Sequence, residues 1–247
     1  MNVVTSADKG FYHCLKELVQ SVNKHYGKPP IVYDLGLTEE QKESLNATII
    51  PIKIQTDFQG YASYTGGDGI KATHKPFCVK HYFENHDEKM IFLDADCLFT
   101  QRVELDGFDV AITLKTDVKR LDLNEPYAGI LNSGVIFFNN PATELVDAWL
   151  KLCAEDDNTT DQKSLVDILS EVIDWKHENK IYDWHGLKIK VLGTYYNDHH
   201  FRKGCIYHFK TNKHSGDLYP KLIEAYHQGK NLRKVLRKHR KELKAAE

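Results

Sequence analysis

Met90-Ile91-Phe92-Leu93-Asp94-Ala95-Asp96 is a run of four bulky apolar residues that leads straight into two carboxylates. A short, wholly apolar run of this kind reads as a strand covered on both faces, which places it inside a parallel sheet rather than at an edge. Asp94 and Asp96 then emerge where that strand ends. Residues two apart on an extended chain point the same way, so the two carboxylates can converge on one hard divalent cation, Mg2+ or Mn2+. The same residues also suit a strand-end turn in which an aspartate caps the next segment.

Outward from this strand the chain alternates. Asn2–Ser6, Pro30–Asp34, Thr48–Ile54, Val110–Leu114, Gly134–Phe138, Leu187–Leu192 and Cys205–Phe209 have the composition of strands. Between them, Phe11–His25 carries Phe11, Cys14, Leu15, Leu18, Val19 and Val22 at helical spacing. Thr38-Glu39-Glu40-Gln41 has the form of a capping box opening a short helix. Lys71–Phe83, Ala142–Ala154, Asp161–Ile173 and Leu218–Lys244 read as further helices, with Pro76 restricting where the first of these can start. Asp57–Gly69 holds four glycines and no period, so it reads as a loop, whose glycines can serve as the hinges of a lid carrying Tyr61 and Tyr64. The alternation predicts one α/β domain over 1–217, a mostly parallel central sheet flanked by helices, and a C-terminal helical tail over 218–247. Ligands of such sheets bind outside the carboxyl ends of the strands, which brings the loops after Ser6, Leu93 and Phe138 to one cleft.

The 247 residues are 41% hydrophobic and 28% charged, enough apolar content for a sizeable core. No apolar run approaches the roughly 18–20 residues of a membrane span. The N-terminal MNVVTSADKG has no secretory pattern, and the five widely spaced cysteines fit buried thiols in a reducing compartment rather than disulfides or a zinc site. The expected location is the cytoplasm. Net charge is −2, yet 230–247 carries eight cations and two glutamates, +6, which leaves −8 on the rest. An acidic body argues against nucleic acid as partner. The tail 230–244, with Leu232, Val235, Leu236 and Leu243 among its cations, either lies on an anionic membrane surface or packs its leucines on the domain.

Three further clusters carry chemistry. Ser6, Ala7 and Asp8 end the first strand, and Tyr12 lies just beyond. Small residues there let a nucleotide approach, Asp8 can bind a base or ribose, and Tyr12 can stack. Asp8 suits an N-cap equally well, and Tyr12 half-buried packing. Asn132-Ser133-Gly134 leads an apolar strand and can bind sugar hydroxyls, or form an ordinary turn. His199-His200 lacks the spacing of a ligand cluster and reads as surface or acceptor-site residues. Neither a dinucleotide fingerprint nor a P-loop is present.

Taken together these residues resemble the GT-A glycosyltransferases, in particular the family of glycogenin and the bacterial lipopolysaccharide galactosyl- and glucosyltransferases. The likeness covers about 1–215 and rests on a strand ending in Ala-Asp, Leu-Asp-Ala-Asp, Asn-Ser-Gly-Val and Asp-Gln. It implies a nucleotide-diphospho-sugar donor, a UDP-hexose, a glycan or lipid-linked acceptor, a Mn2+ or Mg2+ cofactor and retention of configuration. It also implies roles. Asp94 and Asp96 would hold the metal with His208 as third ligand, and Asp94 would also hold the donor ribose. Asp8 and Tyr12 would lie at the base, and Lys75 and Lys213 at phosphate or sugar. Asn132 and Ser133 would line the sugar, with Asp161 and Gln162 beside the anomeric carbon; in an inverting enzyme Asp161 is the candidate base. The chain departs from the pattern at Ser133, in place of alanine, and at His208-Phe209-Lys210-Thr211-Asn212-Lys213, which lacks the family's glycine and lysine spacing; His214 is an alternative ligand. A sugar nucleotidyltransferase and a non-catalytic nucleotide-sugar or glycan-binding module are the competing functions.

Overall fold

The computed structural model describes residues 1–52, 73–117, 130–155, 160–210, 213 and 216–246. The expected lid over Asp57–Gly69 and the alternative ligand His214 lie outside the described residues. The architecture is α/β, with an eight-stranded sheet in the order β3-β2-β1-β4-β7-β6-β9-β8. Its strands are β1 (Asn2–Ala7), β2 (Ile31–Asp34), β3 (Thr48–Pro51), β4 (Met90–Asp94), β6 (Val110–Leu114), β7 (Leu131–Phe138), β8 (Ile181–Trp184) and β9 (Leu187–Leu192). Four of the seven pairings are parallel; β4–β7, β6–β7 and β8–β9 are antiparallel. A second small sheet pairs β5 (Cys97–Phe99) with β10 (Ile206–His208).

β4 sits between β1 and β7, and its alternate residues feed two cores. Met90 and Phe92 join Val4, Ile136, Phe138 and Trp149 on one face. Ile91 and Leu93 join Val3, Val135, Phe137 and Phe99 on the other. Helices α3 (Lys75–Asn85), α4 (Thr143–Glu155) and α5 (Asp161–Leu169) cover the first face through Val79, Tyr82, Leu145, Val146 and Leu165. Helices α1 (Tyr12–Tyr26), α6 (Leu218–His227) and α7 (Leu232–Ala246) cover the second through Leu18, Val22, Leu222, Leu232 and Leu236. All five cysteines are free and buried, as their spacing suggested.

Local chemistry sets the element ends. The capping box at Thr38 forms, with Thr38 Oγ1 accepting from Gln41 N–H and Gln41 Oε1 accepting from Thr38 N–H, and opens α2 (Glu39–Glu43). Pro76 sits in the first turn of α3, where its missing N–H costs nothing, so the helix begins four residues later than its apolar pattern suggests. The helix expected over Leu218–Lys244 is two helices. Gly229, at φ 65°, takes the left-handed conformation that ends one and turns the chain into the next. The third strand runs over Thr48–Pro51, residues 53–54 of its expected range lying outside the described residues, and the strand expected from Gly134 begins earlier, at Leu131.

Candidate active site

Asp94 is the last residue of β4 and Cys97 the first of β5, with Ala95-Asp96 as the turn between them. The two aspartates therefore converge around a turn, not along one extended strand as their spacing suggested. Their common neighbour is His208 at the end of β10. Its Nε2 lies 3.2 Å from Asp96 Oδ1 and 3.7 Å from Asp94 Oδ2. β10 pairs antiparallel with β5, with His208 opposite Cys97, so the strand that starts immediately after the aspartates carries the histidine back to them.

Two carboxylates and one imidazole nitrogen form a hard-to-borderline donor set that suits Mg2+ or Mn2+. Cys97 lies in the same cluster, but its Sγ donates to Gly134 O at 3.5 Å and burial pushes the thiol well up. A thiol that keeps its proton offers little to a hard cation. Asp94 responds to opposed influences. Burial pushes its carboxyl up, while Lys75 and His208 outweigh burial and hold it below the ordinary range.

Lys75, from the first turn of α3, is buried and reaches under the site. Its Nζ lies 2.9 Å from Asp94 Oδ1, 2.6 Å from Asp161 Oδ2 and 3.0 Å from Ser133 Oγ. Burial alone would lower its pKa, but Asp161 and Asp94 outweigh that and raise it. Ser133 Oγ donates to Asp161 Oδ2 at 2.9 Å, and the Asp161 carbonyl accepts from Trp149 Nε1 at 2.7 Å. Gln162 Oε1 accepts from Asn132 Nδ2 at 3.2 Å and from Ser133 N–H at 3.3 Å. Asp94, Asp96, His208, Lys75, Asn132, Ser133, Asp161 and Gln162, scattered over more than a hundred positions, thus form one contiguous constellation.

A bulge makes room for it. Between Ile112 and Thr113 the β6–β7 register jumps from Ile136 to Asn132, and Thr113 Oγ1 reaches both Asn132 O (2.9 Å) and Val135 O (3.3 Å). Gly134 lies inside the bulge. A Cβ there would collide with His208 Cε1 and stand 2.7 Å from Asp94 Oδ2. The strand needs glycine for close approach.

The other expected residues lie farther out. Ser6 and Ala7 are buried in β1, with Ser6 paired to Asp94. Asp8 is an N-cap: its Oδ1 accepts from Gly10 N–H at 2.8 Å and Phe11 N–H at 3.1 Å, which opens a single helical turn over Lys9–Phe11. Tyr12 is half-buried, and its hydroxyl is 2.7 Å from Ser44 Oγ at the end of α2. Lys213 is buried, and its Nζ donates to Lys210 O at 3.2 Å. Burial and the neighbouring Arg240 and Lys210 hold its pKa down. His199, read as a surface or acceptor-site residue, is buried at 9% exposure, and its Nδ1 has no hydrogen-bond partner among the described residues; its neighbour His200 is exposed. The sequence reading missed Asn197, which is fully buried with its Oδ1 2.9 Å from His208 Nδ1. Nothing local marks it, because only the register of β10 reveals its neighbour.

The eight-stranded mixed sheet flanked by helices has the GT-A fold of solved glycosyltransferases. The chain overlays galactosyltransferase LgtC, solved in complex with donor and acceptor sugar analogs, at a TM-score of 0.56 and 14% identity, over 92% of this chain and 94% of that one. It also overlays the glycosyltransferase GlyE of Streptococcus pneumoniae TIGR4 at a TM-score of 0.52 and 15% identity, over 85% of this chain and 55% of that one. No family model matches the sequence, and no curated protein does. At such identities the likeness establishes the fold. No described helix is long and apolar enough to cross a membrane.

Proposed function

We propose that this protein is a metal-dependent glycosyltransferase that moves a hexose from a nucleotide-diphospho-sugar, a UDP-sugar, to a hydroxyl of a glycan or glycolipid. The observation that carries this reading is the convergence of Asp94, Asp96 and His208 Nε2 at the carboxyl end of β4 in a GT-A fold. These three residues would hold Mn2+ or Mg2+. When bound, such a cation stabilises charge on the leaving diphosphate as a Lewis acid.

The remaining roles follow from what each side chain has left to offer. Lys75 spends its charge on Asp94 and Asp161, so it fixes these carboxylates in place rather than gripping phosphate. Lys213, close enough to Lys210 for mutual repulsion, is the better diphosphate contact, since an anion relieves the crowding of cations. Asn132 and Ser133 line the sugar, and Gln162 and Asp161 lie beside the anomeric carbon. Asp161 Oδ2 is already engaged by Lys75 Nζ and Ser133 Oγ, so this carboxylate is held in place beside the sugar; we take the reaction to retain configuration, the alternative being an inverting mechanism with Asp161 as base. Ser6, Ala7, Asp8 and Tyr12 flank the base; Asp8 meets it with the carboxylate edge left over from its capping role.

The basic tail serves as adhesion to an anionic membrane surface in the cytoplasm, beside a lipid-linked acceptor. Its arginines, and Lys230, Lys234, Lys238 and Lys241, are exposed. Screening of nucleotide-diphospho-sugars for Mn2+-dependent nucleotide release tests the function. One donor should release nucleotide, EDTA should stop it, and Asp96→Asn should slow it by roughly 100-fold or more, since the cation supplies several kcal/mol of stabilisation. Pyrophosphate formed from a sugar phosphate and a nucleoside triphosphate would identify a nucleotidyltransferase. Donor binding without release would identify a binding module.

A further inference from the structure

Two backbone N–H groups on the floor of the site fix the hydrogen positions of a whole side-chain chain. Ser133 N–H points at Gln162 Oε1 (3.3 Å), which identifies that atom as the oxygen, and Asn132 Nδ2 donates to the same oxygen at 3.2 Å. Gly134 N–H points at Asn132 Oδ1 (3.1 Å), so both backbone donors demand the same orientation of Asn132. Asn132 Oδ1 and its carbonyl oxygen then face one end of Asn197, at 2.7 and 3.3 Å. Thr113 Oγ1, whose proton goes to a carbonyl of the bulge, faces the same end at 2.8 Å and can only accept there. Three acceptors around one end of an amide require its NH2 group. Asn197 Oδ1 is therefore turned the other way, to His208 Nδ1 at 2.9 Å. A carboxamide oxygen accepts and does not donate, so Nδ1 carries the hydrogen.

We propose that Asn197 is a positioning residue that locks His208 in the Nδ1–H form, so that the Nε2 lone pair, directed at Asp94 and Asp96, is presented to a divalent cation. This inference rests on the metal reading above. Without Asn197 the neutral ring would favour the opposite tautomer, because an Nε2–H would satisfy Asp96 Oδ1 at 3.2 Å and occupy the ligand position with a proton. Orienting partners of this kind are worth about 10–100-fold in metal affinity.

The experiment has two arms. In the first, nitrogen-15 histidine spectra of the metal-free wild-type protein, recorded at mildly alkaline pH, should show hydrogen on His208 Nδ1; a ring with hydrogen on Nε2 alone overturns the proposal. In the second, Mn2+ is titrated into wild type and Asn197→Ala, and binding is counted per folded molecule. The variant should bind about 10–100-fold more weakly while still melting cooperatively. Equal affinity overturns the proposal, because a merely structural role would lower stability without moving the affinity of the folded fraction. If Asn197→Ala does not fold, the wild-type spectrum decides. A wild-type protein that takes up no Mn2+ overturns the metal reading and the ligand half of this inference, leaving the tautomer to be read from the same spectrum.

Discussion

Lys75 Nζ lies 2.6 Å from Asp161 Oδ2, a buried ion pair that ties the first turn of α3 to the first turn of α5 directly beneath Asp94. Neither residue is near the other in sequence, and both side chains are almost fully removed from water, at 6% and 7% exposure. Breaking one half of such a pair leaves an uncompensated buried charge.

Lys75→Met should accordingly destabilise the protein by about 3–5 kcal/mol, because Asp161 and Asp94 lose the cation between them. The double variant Lys75→Met/Asp161→Asn should recover part of that loss, since the orphaned charge is gone. Urea unfolding of the wild type, both single variants and the double variant closes the cycle, and additivity of the two substitutions would disprove the coupling.

Gly134→Ala should damage the metal site more than its size suggests. The new methyl would run into His208 Cε1 and crowd Asp94 Oδ2 and Asn132 Oδ1. Overpacking costs typically about 1–3 kcal/mol, and the yielding groups here are the candidate ligands. Weakened Mn2+ binding together with a lowered melting temperature is the expected pair of results; wild-type Mn2+ affinity would show that the ligands lie elsewhere.

His199 gives the fold a pH dependence. Burial, and then His208 and His200 beside it, lower its pKa from the usual 6.5 to about 3. Between those values the unfolded chain binds a proton that the folded protein refuses, so the folded state loses stability as pH falls from 6.5 towards 3. The slope approaches roughly 1.4 kcal/mol per pH unit. His199→Gln removes the titration, so its stability relative to wild type should improve steadily as pH falls across that window. A constant difference from pH 7 to pH 4 would rule this out.

The tail divides into two parts. Leu232 and Leu236 are buried in the second core, whereas Leu243 is 54% exposed. Truncation before Leu232 should strip about 1.5–3 kcal/mol for each buried leucine. Truncation after Leu236 keeps both and removes Arg237, Lys238, Arg240, Lys241 and Lys244. The shorter cut should leave thermal stability nearly unchanged and weaken sedimentation with anionic vesicles at low salt, where each cation near the surface is worth about 1 kcal/mol. Undiminished sedimentation would remove the membrane role from this segment.

The sequence by itself determined the elements whose signals are local. The short apolar run at Met90–Leu93 read as an inner strand, and the capping box at Thr38 specified its own helix start. The helical period of Phe11–His25 fixed which face of α1 is buried. The order of motifs along the chain pointed to Asp94, Asp96 and His208 as one candidate set, and the fold does bring the three side chains together. Tertiary structure decided everything that depends on pairing. β5 is three residues long and carries no period, so only its ladder with β10 makes it a strand and sets His208 against Asp96. Lys75 is expected at donor phosphate or sugar, and only the placement of α5 shows that its ammonium is also paired with Asp161. Asn197 had no signal, because its role lies in hydrogen bonds to Thr113, Asn132 and His208, residues 84, 65 and 11 positions away. Hydrophobic period and capping act over a few residues and can be read from them. A hydrogen-bond network closes only when distant strands find their register, so its geometry exists nowhere but in the folded chain.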